Sequence, residues 1–483
     1  MPPLAGPLTA ALTSASSSAG FLRGWPIHPA QARPPERLPA PSRSRATHYP
    51  GRPTGSRLSA NACHPHQRQG GIAAGLDPAH TTPLVMLPPS ETFSGLVDHA
   101  VQRLTTTTLR LSISEKSSSL ISQTRFPTKA ELLQILPAEL TRFDPVKAWG
   151  SLGMSVGLSV LAYALGTKIP MQLWATPVWL LYGVVTGTVV MGLWVIAHEC
   201  GHNAFHPNRR LEGAIGFTLH SLLLVPYFTW ARSHAVHHAH CNHLEAGETH
   251  VPPRANSRSG LITEALKKRL GTRAFGCLSL FCHLIIGWPL YLFLGTTGGE
   301  DYGQPTSHFW NGESFDQGKR ALFPRTFRGL MMRSNLGVLT ALLILGLLAW
   351  HFSPAKVLCI YGLPYVVINF WLVMYTWLQH TDVVIPHFAS DEWTWAKGAL
   401  QTVDRPYGAL LNLLHHGIGS THVCHHVNSR IPHYNAWRGN ALLRQHFPQL
   451  VRYDPTPIHQ ALWRVASRCG AVRQSSVDGA FYY

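Results

Sequence analysis

Three short stretches concentrate side chains that bind metals. His198-Glu199-Cys200-Gly201-His202 closes an apolar run, and on a continued helix its two imidazoles share one face and can grip one cation. His234-Ala235-Val236-His237-His238 and His422-Val423-Cys424-His425-His426 each set three imidazoles on adjacent helical turns, so each can serve more than one ion. A cation ringed by imidazoles without thiolates is not a structural zinc site; zinc, copper, iron and nickel all accept such donors. Eight histidines exceed the roughly four to six ligands of one ion and fit two. His380, at the end of the last apolar run, makes nine. Two irons in such a site can activate dioxygen for hydrogen abstraction from an unactivated methylene, which no side chain does alone. A lone HxxxH on an apolar helix is more often incidental than catalytic. Three such clusters, the first at the mouth of an apolar span, are not.

The elements that must position these histidines are long and apolar. Five runs, at 150–166, 173–197, 275–294, 336–350 and 357–378, have helical, membrane-spanning character. A sixth, 215–227, is too short to span and carries His220, which places it at the membrane interface. Short proline-bearing links at 167–172 and 351–356 make two helical hairpins. Parity then constrains the topology. All three clusters must meet on one side of the bilayer, yet three long runs lie between the second and the third. One of them does not cross, and 275–294, with His283, Gly287 and Pro289, is the expected interfacial or re-entrant segment. The expected fold is an all-α integral membrane protein with four transmembrane helices and a cytosolic helical cap holding the histidines.

Composition agrees with a bilayer. Of the 483 residues 45% are hydrophobic, whereas the charged share is 13%, about half the usual value of about 25%. The formal charge of +17 does not mark a nucleic-acid binder: no basic helix with interleaved aromatics appears, and much of the excess sits in an Arg-rich tail. The eight cysteines show no paired spacing, which reads as reduced thiols and no disulfide framework. Residues 1–85 are rich in Pro, Ala, Ser and Arg, with Glu36 and Asp77 as the only acids. That composition fits a transit peptide, a disordered extension or an upstream start before Met86. A linker at 86–125, a catalytic domain at 126–470 and a tail at 471–483 complete the expected organisation.

The order HxxxH, HxxHH, HxxHH resembles the membrane fatty acid desaturase family. The surroundings WVIAHECGHNAFH (194–206), LHSLLLVPYFTWARSHAVHH (219–238), TWLQHTD (376–382), QTVDRPYG (401–408) and THVCHHVNSRIPHYNA (421–436) are similar to its oleate delta-12 (omega-6) and omega-3 acyl-lipid branch. The likeness runs from about residue 126 to 469. It implies two iron ions held by His198, His202, His234, His237, His238, His380, His422, His425 and His426. Glu199 and Asp382, beside ligands, are candidates to orient an imidazole N–H. His206, His240, His243, His415 and His416 have no ligand counterpart in the family. Relatives often carry two basic residues where this chain has Ala235-Val236, which bears on substrate or branch and not on metal. Front-end desaturases replace the first histidine of the third cluster and carry a fused haem domain; this chain keeps His422 and has no HPGG.

The resemblance implies an oxygen-dependent enzyme that desaturates phospholipid-linked oleate to linoleate. Electrons would come from cytochrome b5 in the endoplasmic reticulum membrane, or from ferredoxin in a plastid membrane. An omega-3 desaturase, or a hydroxylase or acetylenase, would use the same scaffold. A polytopic metal transporter is the non-enzymatic alternative, but transport histidines belong within the spans, and these clusters lie outside them.

Overall fold

Helix starts follow local capping chemistry. In the computed structural model, which describes residues 125–302, 306–310 and 321–483, Thr128 and Glu131 close a reciprocal capping box on α1 (Lys129–Gln134). The expectations for residues 1–85 and 86–124 lie outside the described residues. Asp144 caps α2 (Pro145–Gly166), with Pro145 at a first-turn position where its missing N–H costs nothing. A short hairpin leads into α3 (Thr176–Gly201). Asn208 caps α4 (Arg209–Leu222), which bends by 104° into α5 (Tyr227–Ala239). The 215–227 run is thus divided at Pro226. Its His220 does not face a membrane surface: it is fully buried against Trp194 and Trp230.

α6 (Arg258–Phe281) kinks at Gly271, whose φ of 73° favours glycine, and passes through a π turn at Cys282–Ile286 into α7 (Gly287–Leu294). α8 (Arg328–His351) is followed by α9 (Pro354–Val357), a second π turn at Leu358–Gly362, and α10 (Leu363–His380). Each π turn precedes a proline, Pro289 or Pro364. A proline ring has no N–H and crowds the carbonyl four residues back, here Ile285 or Ile360, both inside the widened turns. α11 (Trp395–Leu400), α12 (Gly408–Leu414), α13 (His422–Val427), α14 (His433–His446) and α15 (Ile458–Arg468) then build over the ends of the long helices. β1 (Arg473–Gln474) and β2 (Phe481–Tyr482) pair antiparallel, with Arg473 opposite Tyr482.

Among the described residues, five helical stretches are long and apolar enough to cross a membrane: Pro145–Gly166, Leu173–Gly201, Arg258–Leu294, Arg325–His351 and Pro354–His380. The bent pair of α4 and α5 would make six if it counted as one broken span. All five expected apolar runs are helical. Leu161, Leu165, Leu180, Leu339, Leu343 and Leu347 stand exposed on them, an arrangement that water penalises and lipid does not. The protein is a mostly helical membrane protein. α3 and α10 form the packed centre. They approach so closely at Gly187 that a Cβ there would lie 2.5 Å from the Val367 side chain.

Candidate metal centre

Four elements deliver the histidines to one place. α3 ends on His198 and His202; α5 carries His234, His237 and His238; α10 ends on His380; α13 carries His422, His425 and His426. Three of them, α5, α13 and α10, are locked by polar contacts near the site. Ser334 Oγ accepts the N–H groups of Phe228 and Thr229, satisfying the orphan donors at the start of α5. Buried Asp404 does the same for α13, accepting the Val423 N–H at 3.0 Å while Asn440 and Arg444 donate to its other oxygen. Arg405, also fully buried, donates to the Leu378 carbonyl at 3.0 Å and to Asp382 at 2.7 Å, and so fixes the end of α10.

The imidazoles converge in two groups. His198, His202, His234, His238 and His425 present nitrogens that all lie within 4.8 Å of one another. Within this group the Nε2 atoms of His198 and His234 are 2.9 Å apart, and those of His234 and His238 are 3.2 Å apart. His237, His380 and His426 form the second group, together with the Cys241 sulfur. His422 joins it through a 2.9 Å approach of its Nε2 to that of His380. The two HxxHH clusters are shared between the groups in opposite proportions. The i and i+4 pair His234 and His238 serves the first and His237 the second, whereas His422 and His426 serve the second and His425 the first. A 3.6-residue repeat dictates this division, since i and i+4 share a face and the third histidine is turned away.

Burial decides the charge state. It holds His425 down to about 3 and, with mutual repulsion, His422 and His426 well below the ordinary imidazole range. Neutral rings keep a lone pair for a cation. Nδ1 of His198, His237, His238 and His422, Nε2 of His425 and both nitrogens of His426 are buried without a hydrogen-bond partner. A cation would satisfy the Nε2 atoms of His425 and His426 and relieve the 2.9–3.2 Å crowding of Nε2 against Nε2, whereas the orphan Nδ1 atoms of His198, His237, His238 and His422 lie on the other edge of their rings. The donor set fits a metal site. Aromatic faces brace it: Trp230 stacks on His234 at 4.8 Å and Trp194 on His198 at 5.6 Å.

The two carboxylates expected to orient ligand imidazoles do other work. Glu199 accepts from the N–H and Nδ1 of His433, and Asp382 binds Arg405 and Arg464. For Glu199 the reason is angular, because a helix neighbour points about 100° away from the ligand face; Asp382 lies two residues past the end of α10, off the helix. His206, His240, His243, His415 and His416 stay outside both groups. His415 bonds Tyr375 at 2.8 Å and His416 bonds Ser155 at 2.9 Å. Spacing alone did not reveal Cys241, nor His250, whose ring stacks on His380 at 5.8 Å. Nor did it assign a role to Asp404, although that residue lies inside the QTVDRPYG stretch. Glu248 is a further buried acid, accepting from the Tyr291 hydroxyl at 2.9 Å, and burial pushes its carboxyl up to about 8.

Comparison with known proteins agrees with this geometry. The fatty acid desaturase family model matches residues 175–457. The oleoyl-12-hydroxylase of Ricinus communis is 34% identical over 365 residues, covering 74% of this chain and 90% of that protein. The delta(12) fatty acid desaturase of Vernicia fordii is 34% identical over 363 residues, with 74% and 91% covered. The delta(12) fatty acid desaturase of Mortierella alpina is 38% identical over 303 residues, with 60% and 74% covered. With the histidine groups assembled at the ends of apolar helices, the chain belongs to the fatty acid desaturase family of oxygen-dependent oxidoreductases.

Proposed function

We propose that this desaturase places a cis double bond at C12 of an oleoyl chain esterified in a phospholipid, giving linoleoyl. The observation that carries the reading is the sharing of the two HxxHH clusters between two imidazole groups, which fits two ions side by side. His198, His202, His234, His238 and His425 would hold one iron, and His237, His380, His422 and His426 the other. Bound there, the irons supply the dioxygen chemistry that removes hydrogen from an unactivated methylene. Overall, two hydrogens leave the acyl chain, and dioxygen, two electrons and two protons complete the formation of two waters. The protein's own task is to fix nine imidazoles, keep them neutral and exclude bulk water. Cytochrome b5 fits as electron donor in the endoplasmic reticulum membrane, with ferredoxin in a plastid membrane as the alternative.

An apolar cavity of about 440 Å³ between the long helices supports an acyl substrate. Leu193, Leu222, Ala341, Ile344, Leu348 and Ile360 are among its walls. Leu193 lies five residues before His198, about 7.5 Å along the helix axis, a suitable place for the methyl end of the chain.

Four crossings with a cytosolic cap remain the topology that best joins the clusters. Contacts of the 275–294 segment support a shallow path. His283 lies flat on Trp377 at 3.9 Å, three residues before His380. At its far end, the Tyr291 hydroxyl meets Ser233, the neighbour of His234, at 2.9 Å.

A 12-hydroxylase is the second reading, favoured by a hydroxylase relative as similar as the desaturases. Expression in a yeast without polyunsaturated lipids, followed by fatty acid methyl ester analysis, separates the two. Linoleate is expected. A 12-hydroxy product without linoleate would reject desaturation, and a double bond at another position would reject the regiochemistry.

A further inference from the structure

His380 is held differently from its neighbours. Nδ1 of His198, His237, His238, His422 and His426 is buried without a partner. The Nε2 of His380 faces the Nε2 atoms of His237 at 3.2 Å and His422 at 2.9 Å, inside the second group. Its Nδ1, on the opposite edge of the ring, lies 3.5 Å from Sγ of Cys241. The sulfur has little freedom. Cys241 is 2% exposed, its carbonyl accepts from Trp393 Nε1 at 2.9 Å, and Gly398 packs directly against that carbonyl. His250, from the same stretch of chain, covers the His380 face with an interplanar angle of 8°. One contact lies in the ring plane and the other on the ring face, and together they define the imidazole's orientation.

We propose that Cys241 is a positioning residue for His380: its sulfur accepts the Nδ1–H and fixes the tautomer that leaves Nε2 free for a metal ion, without being a ligand itself. The inference rests on the metal-centre reading above. Proximity alone would admit sulfur as a ligand, since Sγ lies within 4.8 Å of nitrogens of His237, His380 and His426. The edge it approaches argues otherwise. A sulfur facing Nδ1 is separated by the imidazole from the point where the Nε2 atoms meet. An N–H···S bond is weak in water, but in a buried site it is the bond that decides between two tautomers. Outer partners of this kind typically change metal affinity or activity by about 10–100-fold when removed.

The test uses the purified full chain, with Cys241→Ala, Cys241→Ser and, as a thiol control, Cys282→Ala. Three readouts are taken: iron per chain, the rate of iron loss to a chelator, and the visible absorption spectrum. Wild type is expected to hold two irons. Cys241→Ala should release iron about 10–100-fold faster, Cys241→Ser should be restored most of the way because its hydroxyl also accepts, and Cys282→Ala should match wild type. Wild-type release kinetics in Cys241→Ala would overturn the inference while leaving the metal centre intact. So would a serine variant as leaky as alanine, which would make the role packing alone. A sulfur-to-iron absorption band in wild type that vanishes in Cys241→Ala would replace positioning by ligation. A wild type that binds no iron would overturn the metal-centre reading and this inference with it.

Discussion

At the scale of single residues, two kinds of histidine answer to different physics. His237 and His425 belong to the converging groups, whereas His206 and His243 lie outside them and bond nearby backbone N–H groups through Nδ1. Changing His237 or His425 to Ala should abolish desaturation while the protein remains in the membrane, and the same change at His206 or His243 should be far milder. Product analysis with an immunoblot of the membrane fraction checks both halves. Glu248 gives a pH prediction of definite sign. Its folded carboxyl is raised to about 8 from an ordinary 4.5, so its contribution is fully present below 4.5 and is lost as pH rises through 8. Glu248→Gln should remove part of the fall in melting temperature between pH 6 and 9, and identical pH dependence in variant and wild type would contradict it. The three histidine clusters were legible because their spacing is local, whereas His380 stands alone at the end of an apolar run. Glu199 bonds His433 because adjacency along the chain is not adjacency around a helix, and Asp382, past the end of α10, is taken up by Arg405 and Arg464. Cys241 and Asp404 act through tertiary contacts that no spacing encodes.

At the scale of elements, apolar length located every long helix but not its details. α2 begins at Pro145, five residues before the apolar run at 150, because Asp144 caps its first turn. The two π turns answer to prolines, and the sharp bend at Pro226 answers to a proline that cannot continue a helix. Composition also left the crossing count open, since Arg258–Leu294 is long and apolar enough to span. Its contacts with Trp377, Ser233 and α15 argue for a shallow course. Cysteines introduced at the exposed Ser259 and Thr296, which flank the segment, should therefore both react with an impermeant reagent from the same side of the membrane. Labelling from opposite faces would restore a crossing.

At the scale of the whole molecule, helices that present leucines to lipid meet a cap tied down by Asp404 and Arg405, with two imidazole groups at their junction. The fold class was legible because bilayer length and the 3.6-residue repeat are written directly into sequence. How four elements interlock was not, since buried ion pairs such as Arg405 with Asp382 join positions 23 residues apart. The central claim is that these groups hold two irons that carry the oxidation. Metal analysis of the purified, active protein, normalised to polypeptide, tests it most directly. Two irons per chain are expected. A fully active preparation with a single metal ion per chain, or with zinc in place of iron, would contradict it.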